Sequence, residues 1–250
     1  MRKRKFFIFY HILSTFFLLT LTATECVSFA APQNPTRDSW YVMTVDKTIR
    51  YGYYNERVEL KRNRLFFQSH VWKKEEDYIN EEQLGAFSEN TPDLAPLFYN
   101  FHSTYRSSEL TIDGNVKDGK VLHVKVRKGQ TELPIIRKVL APKTIFSQFF
   151  PVWLGFQLPK LKPGQSVSFL SILEDNLDLN FATVPGRIRL EKPDEFATKS
   201  GTRKISLEYR EVKSTWYVDE TGTAVRIEMP ETRTVVEKVS KEVAQKFLSN

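Results

Sequence analysis

Apolar side chains recur at every second position through most of the chain after residue 40. That spacing commits the chain to extended strands with one dry face and one wet face. Ile188 and Leu190 alternate with Arg187, Arg189 and Glu191, and Ile205, Leu207 and Tyr209 with Lys204, Ser206, Glu208 and Arg210. Leu177, Leu179 and Phe181 stand against Asp178 and Asn180 over 176–183, and Val225, Ile227 and Met229 against Arg226 and Glu228. One-sided strands of this kind pair antiparallel and are covered on a single side. The long helical patterns that a parallel sheet needs between its strands are missing. The expected fold is mainly β, a curved antiparallel sheet or incomplete barrel with a few short helices.

One hairpin can be read to its register. Leu110, Ile112 and Val116 face Leu122, Val124 and Val126 across Lys117-Asp118-Gly119. A two-residue turn splits the two apolar rows between faces. A three-residue loop, with 116 opposite 120 and 112 opposite 124, puts them on one face, so burial predicts a type I turn with a glycine bulge. Trp40–Val45, Ile49–Leu60 and Leu65–Trp72 are rich in aromatic and β-branched residues that suit a pleated surface, and the basic Lys61–Arg64 turn joins the last two. Trp216-Tyr217-Val218, the turn Asp219–Gly222 and a strand over 223–229 make a late hairpin. Residues 74–101 mix charges, prolines and aromatics and read as a long excursion with a short helix. Residues 143–158 have helical spacing at Ile145, Phe146, Phe149, Phe150 and Trp153, with Thr144 as cap and Pro151 as kink. A last helix is expected from Val236 to Leu248, with Val236, Val239, Val243 and Phe247 on one side. No repeat or composition shift marks a second domain, so 40–250 reads as one domain after a linker over 31–39.

The N-terminus has a different character. Arg2, Lys3, Arg4 and Lys5 precede an apolar run from Phe6 to about Ala23, and Ser28-Phe29-Ala30 ends it with small residues at the −3 and −1 positions of a cut after Ala30. Basic head, apolar middle and small-residue exit are the parts of a secretory signal peptide over 1–30, which points to a periplasmic or secreted protein. Two competing readings are an uncleaved anchor, which makes the N-terminus a membrane contact, and lipidation at Cys26, which Glu25 disfavours. Removing residues 1–30 leaves 33 basic and 29 acidic side chains, a net +4 on 220 residues of mixed sign. That is an ordinary solvated surface and not a nucleic-acid footprint. Cys26 leaves as well, so neither a disulfide framework nor thiol chemistry is available.

Catalytic patterns are absent from the sequence. There is no G-x-S-x-G elbow, phosphate loop or dinucleotide fingerprint, and His70, His102 and His123 stand apart without metal-ligand spacing. Glu75-Glu76, Glu81-Glu82 and Asp175 near Asp178 could each be named an acid/base pair, so none is informative. No cofactor, metal or catalytic residue is assigned. The aromatics are more suggestive. Phe146, Phe149, Phe150, Trp153 and Phe156 concentrate in 143–158. They either plug the sheet and complete its core or form a lid over an apolar cavity, which binds chains without directional bonds. Tyr51, Tyr53 and Tyr54 line the same region or sit outside as sheet-facing aromatics.

Residues 215–228, TWYVDETGTAVRIE, resemble the tryptophan-strand, Asp-x-x-Gly turn and following strand of LolA/LolB-like lipoprotein carriers and related bacterial envelope proteins. Residues 110–126 suit the same group. The resemblance implies a strongly curved sheet with helices closing its mouth, an apolar cavity and no chemistry. It covers about a quarter of the chain and transfers no site residue. The expectation that follows is an exported, non-enzymatic protein binding a lipid or other apolar small molecule, or a lipid-modified partner. The alternatives are a structural or interaction module that engages an envelope protein, and a hydrolase of unknown substrate.

Overall fold

The computed structural model describes residues 36–75, 78–175, 177 and 180–246. The expected signal peptide, its cut after Ala30 and the membrane contact at the N-terminus lie outside these residues. Sixteen strands form one sheet: β1 (Arg37–Val45), β2 (Ile49–Lys61), β3 (Arg64–Glu75), β4 (Tyr78–Glu89), β5 (Pro96–Tyr105), β6 (Ser108–Lys117), β7 (Val121–Lys128), β8 (Thr131–Glu132), β9 (Ile136–Val139), β10 (Thr144–Phe146), β11 (Ser166–Ile172), β12 (Val184–Leu190), β13 (Arg203–Tyr209), β14 (Val212–Val218), β15 (Ala224–Met229) and β16 (Thr234–Val239). Their order runs from β10 through β11–β16 to β1 and on through β8, with β9 on the edge of β7. Among the described residues no pairing joins the two ends, so the sheet stays open. Every pair is antiparallel except β10 with β11, whose crossover is residues 147–165.

Side-chain contacts require the sheet to curl. Phe150, in the helix α1 (Phe150–Gln157), meets Phe169 of β11 and Trp216 of β14, while Phe149 beside it meets Phe67 of β3. Phe146 meets Tyr99 of β5. Laid flat at about 4.8 Å per strand, β11 and β5 would stand about 48 Å apart. The short segment from Phe146 to Phe150 reaches both only if the strands wrap around it. One core results, into which Ile188, Leu190, Ile205, Leu207 and Ile112 all point.

The 110–126 hairpin buries both apolar rows on one face, with Ile112, Leu122, Val124 and Val126 in the core and Leu110 and Val116 packed against it. Its register lies two residues from the expected one, with Lys117 opposite Val121 and Ile112 opposite Val126. Parity alone keeps the rows together. The turn also differs, because Asp118 and Gly119 both have positive φ, the primed geometry that matches strand twist. The strands begin three residues earlier than expected, at Arg37, inside the expected linker.

Four expected elements are corrected. The described residues of 74–101 form no helix but parts of β3, β4 and β5; the inward row of β4 includes Asn80, Leu84, Ala86 and Ser88, whose small and polar groups hide its period. The strand expected over 176–183 is a turn at its described residues. Asn180 and Phe181 are left-handed, and Phe181 is buried by the turn. The described part of the helix expected over 236–248 divides into β16 and the short α2 (Lys241–Gln245), capped by Ser240, whose hydroxyl accepts from Val243 N. Phe247 lies outside the described residues. In β15, a bulge between Tyr217 and Val218 of its partner strand puts Ala224 in the core in place of Val225.

Candidate functional site

Residues 143–158 enter the curled sheet as a plug. They begin as β10, not as a capped helix: Thr144 Oγ1 donates to Ala141 O at 2.7 Å, and Thr144–Phe146 pair with Leu170–Ile172. A 3-10 turn over Ser147–Phe149 follows, then α1. Pro151 stands in the first turn of α1, where its missing N–H costs nothing, and does not kink it. Phe150 through Gly155 are all buried, as befits a helix that is apolar all round. Phe150 lies 4.9 Å from the Phe169 ring and 5.2 Å from Trp216, and Trp153 lies 5.1 Å from Phe169.

Both ends of the plug are tied down by polar bonds. At its start, Ser147 Oγ donates to the Glu174 carboxylate at 2.6 Å, and Gln148 N donates to the same group at 3.4 Å. Glu174 is fully buried in the turn after β11, and burial pushes its carboxyl up to about 8, with the Ser147 bond pulling the other way. At its end, Arg203 donates to Leu158 O at 2.5 Å, which also accepts from Leu161 N, and to Leu161 O at 3.1 Å. Gly155 packs on the β14–β15 turn, where a Cβ would strike Thr221 O.

Of the residues singled out from the sequence, Phe146, Phe149, Phe150 and Trp153 come together in this plug, all buried. Phe156 is half-buried at its margin, and Tyr51 packs against the same core. Tyr53 does not join them. It stacks 4.6 Å from Trp72 on the opposite face, with Trp40, Val42 and Ala244. The two tyrosines part because Met43 pairs with Gly52 and Thr44 with Arg50, which leaves Tyr51 as the extra residue of a bulge.

Beside the plug, the concave side of β1–β5 holds a cleft of about 230 Å³. Met43, Val71, Leu84 and Phe101 form apolar parts of its wall; Glu56, Lys73, Glu82, Gln148 and Asp175 supply polar groups. Tyr54 and Glu56 lie deep in the protein yet keep open surface, because that surface faces the cleft. Burial raises both their pKa values; for Glu56 the nearby Arg37 and Lys238 oppose the rise. Tyr54 stacks on Tyr41 at 4.6 Å, and Lys73 pairs with Glu82 at 2.9 Å. Arg37, buried near Glu56, donates from Nη1 to Thr223 Oγ1 at 3.1 Å, while its Nε and Nη2 have no hydrogen-bond partner among the described residues. Such an arrangement can hold an apolar group against the wall and a polar group among the charges. Sequence reasoning named Tyr54 together with Tyr51 and Tyr53 but missed Glu56. The available signal was a carboxylate in the same strand row as Tyr54 and Val58.

The histidines stay apart. His70 stacks on Trp72 and lies 3.4 Å from Glu81; the His102 ring is 3.3 Å from Thr111 Oγ1; His123 pairs with Asn115 and Arg137 in the ladder. Among the described residues, no cluster of three or more His, Cys, Asp or Glu is placed to hold a metal ion. Among those residues, too, no helix is long and apolar enough to cross a membrane.

No protein-family model matches the chain, and no curated protein matches it. One solved structure is similar in shape, a DUF1089 family protein from Pseudomonas aeruginosa, at 16% identity and a TM-score of 0.40, over 72% of this chain and 90% of that one.

Proposed function

We propose that this chain is an exported, non-enzymatic binding protein of the cell envelope that takes a lipid-like amphiphile at the concave cleft. The observation that carries this reading is the juxtaposition in one partly open cleft of an apolar wall (Met43, Val71, Leu84, Phe101) and charged groups (Glu56, Lys73, Glu82). A volume of about 230 Å³ falls below the span typical of small-molecule sites, about 300–1,000 Å³. It therefore admits a head group or a short stretch of chain, and a longer chain requires the plug to shift. The resemblance of 215–228 to lipoprotein carriers points the same way, as does the signal-like N-terminus.

The test is extraction and mass spectrometry of lipids that copurify with the full chain, beside a Val71→Trp variant whose ring occupies the cleft. Lipid above a control protein for the native chain, reduced in a variant of unchanged melting temperature, is the expected result. Lipid at control level in the native chain would sink the reading. The filled interior favours a second reading, an envelope interaction module, since Phe146, Phe149 and Leu154 have no exposed surface.

A further inference from the structure

The sheet ends in a surface unlike the rest of the molecule. Residues 109–143 carry eight basic and four acidic side chains, a net +4, which equals the whole net charge of residues 31–250. The remaining described strands balance their charges in pairs such as Lys73–Glu82, Arg226–Glu237 and Lys204–Asp194. None of the eight basic groups at the sheet end makes an ion pair among the described residues. They lie at the end of β6 and in the turn after it (Lys117, Lys120), on β7 (Lys125, Arg127, Lys128), on β9 (Arg137, Lys138) and just before β10 (Lys143). Among them stand three aliphatic side chains open to solvent: Val139 at 80% exposure, Ile135 at 52% and Leu133 at 37%.

We propose that this edge docks the protein on an anionic lipid surface. Charges at a sheet edge ordinarily serve to repel other strands, and Pro134 and Lys138 fit that role. Exposed Val139 and Ile135 do not, because they add cost in water and deter nothing. Aliphatic groups set among unpaired cations are what an interface of acyl chains beneath anionic head groups accommodates. A second copy of the chain fits poorly. A two-fold pairing of β9 would set Arg137 of one copy against Lys138 of the other. The positive charge also spreads over turn, strand face and edge alike, which suits a continuous anionic plane.

Amide hydrogen exchange of the full chain, read peptide by peptide, tests this independently of the N-terminus. The probes are vesicles of phosphatidylcholine alone and of phosphatidylcholine with one third phosphatidylglycerol. Peptides within 117–143 should gain protection only with the anionic vesicles and lose it at high salt. The double variant Arg137→Glu/Lys138→Glu should need roughly tenfold more lipid for the same protection, and Val139→Asp should weaken it at unchanged salt dependence. Equal protection with both vesicles, or none with either, overturns the proposal. So does protection confined to β9 that rises with protein concentration in the absence of lipid, the sign of strand pairing between copies.

Discussion

The ring of Tyr99 occupies the space that a Cβ on Gly114, its partner across β5 and β6, would need. The same relation recurs at the far side of the plug, where the ring of Phe169 stands over Gly186 of β12. Each ring then meets the plug, Tyr99 at Phe146 and Phe169 at Phe150. Glycine lets the aromatic lean along the sheet, which leaves room for the plug between the two halves. Gly114→Ala and Gly186→Ala should each cost about 1–3 kcal/mol by overpacking. Urea melts check this, and a Gly114→Ala loss that is unchanged in a Tyr99→Ala background would refute the shared contact.

Glu174 makes stability depend on pH in an unusual direction. Its folded pKa of about 8 lies above the ordinary carboxylate value, so the native chain holds a proton that the unfolded chain releases. Between pH about 4.5 and 8, stability therefore falls as pH rises. Below that window the group contributes no slope, and above it the loss is complete. Glu174→Gln keeps an acceptor for Ser147 without the charge. It should match the native protein near pH 5 and exceed it near pH 9 by an amount on the order of a few kcal/mol. Denaturation curves at three pH values decide the matter, and a variant less stable at both ends would show that the carboxylate itself is needed.

The strands legible in the sequence are those whose inward row is aliphatic throughout. Ile188 and Leu190, or Leu122 and Val124, reveal their face because they alternate with the polar or charged Arg187, Arg189, Glu191, His123 and Lys125. The row Asn80, Leu84, Ala86, Ser88 is equally buried but carries its weight in small and polar groups, so β4 was invisible. The aromatics of 143–158 were recognisable as one unit, yet whether they cover a space or fill it depends on how far the sheet curls. That follows from contacts between strands distant in sequence, such as Phe67 and Phe149. Tyr51 and Tyr53 look equivalent in a period-two reading, and only the bulge at Met43/Thr44 separates them. The cleft was the least legible feature, since Glu56 and Gln148 meet it from strands and turns far apart in the chain.

The plug is seated against the β14–β15 turn through two glycines. A Cβ on Gly155 would strike Thr221 O, and one on Gly222, which has φ +82°, would strike Pro151 O. Gly155→Ala should cost about 1–3 kcal/mol by overpacking, and Gly222→Ala more, because alanine also pays for the left-handed backbone. The two residues face each other, so the double variant should lose less than the sum of the singles. Thermal melts of the three variants measure this. Additive losses would mean that the two sites are seated independently.

His70 offers a local readout of the outer aromatic row. Its ring stacks 3.6 Å from Trp72, and burial lowers its pKa from the ordinary value, while Glu81 at 3.4 Å raises it by a smaller amount. Removing the carboxylate leaves burial unopposed, so Glu81→Gln should move the titration of His70 further down. Removing the covering ring admits water, so Trp72→Ala should move it up toward about 6.5. The two substitutions act in opposite directions on one proton, and the imidazole resonance followed by NMR from pH 4 to 8 separates them. Because Trp72 also stacks on Tyr53, the Trp72→Ala shift should be accompanied by changes at Tyr53 and not at the plug, which lies on the other face of the sheet. A His70 titration that rises in Glu81→Gln would show that Glu81 acts through position and not through charge.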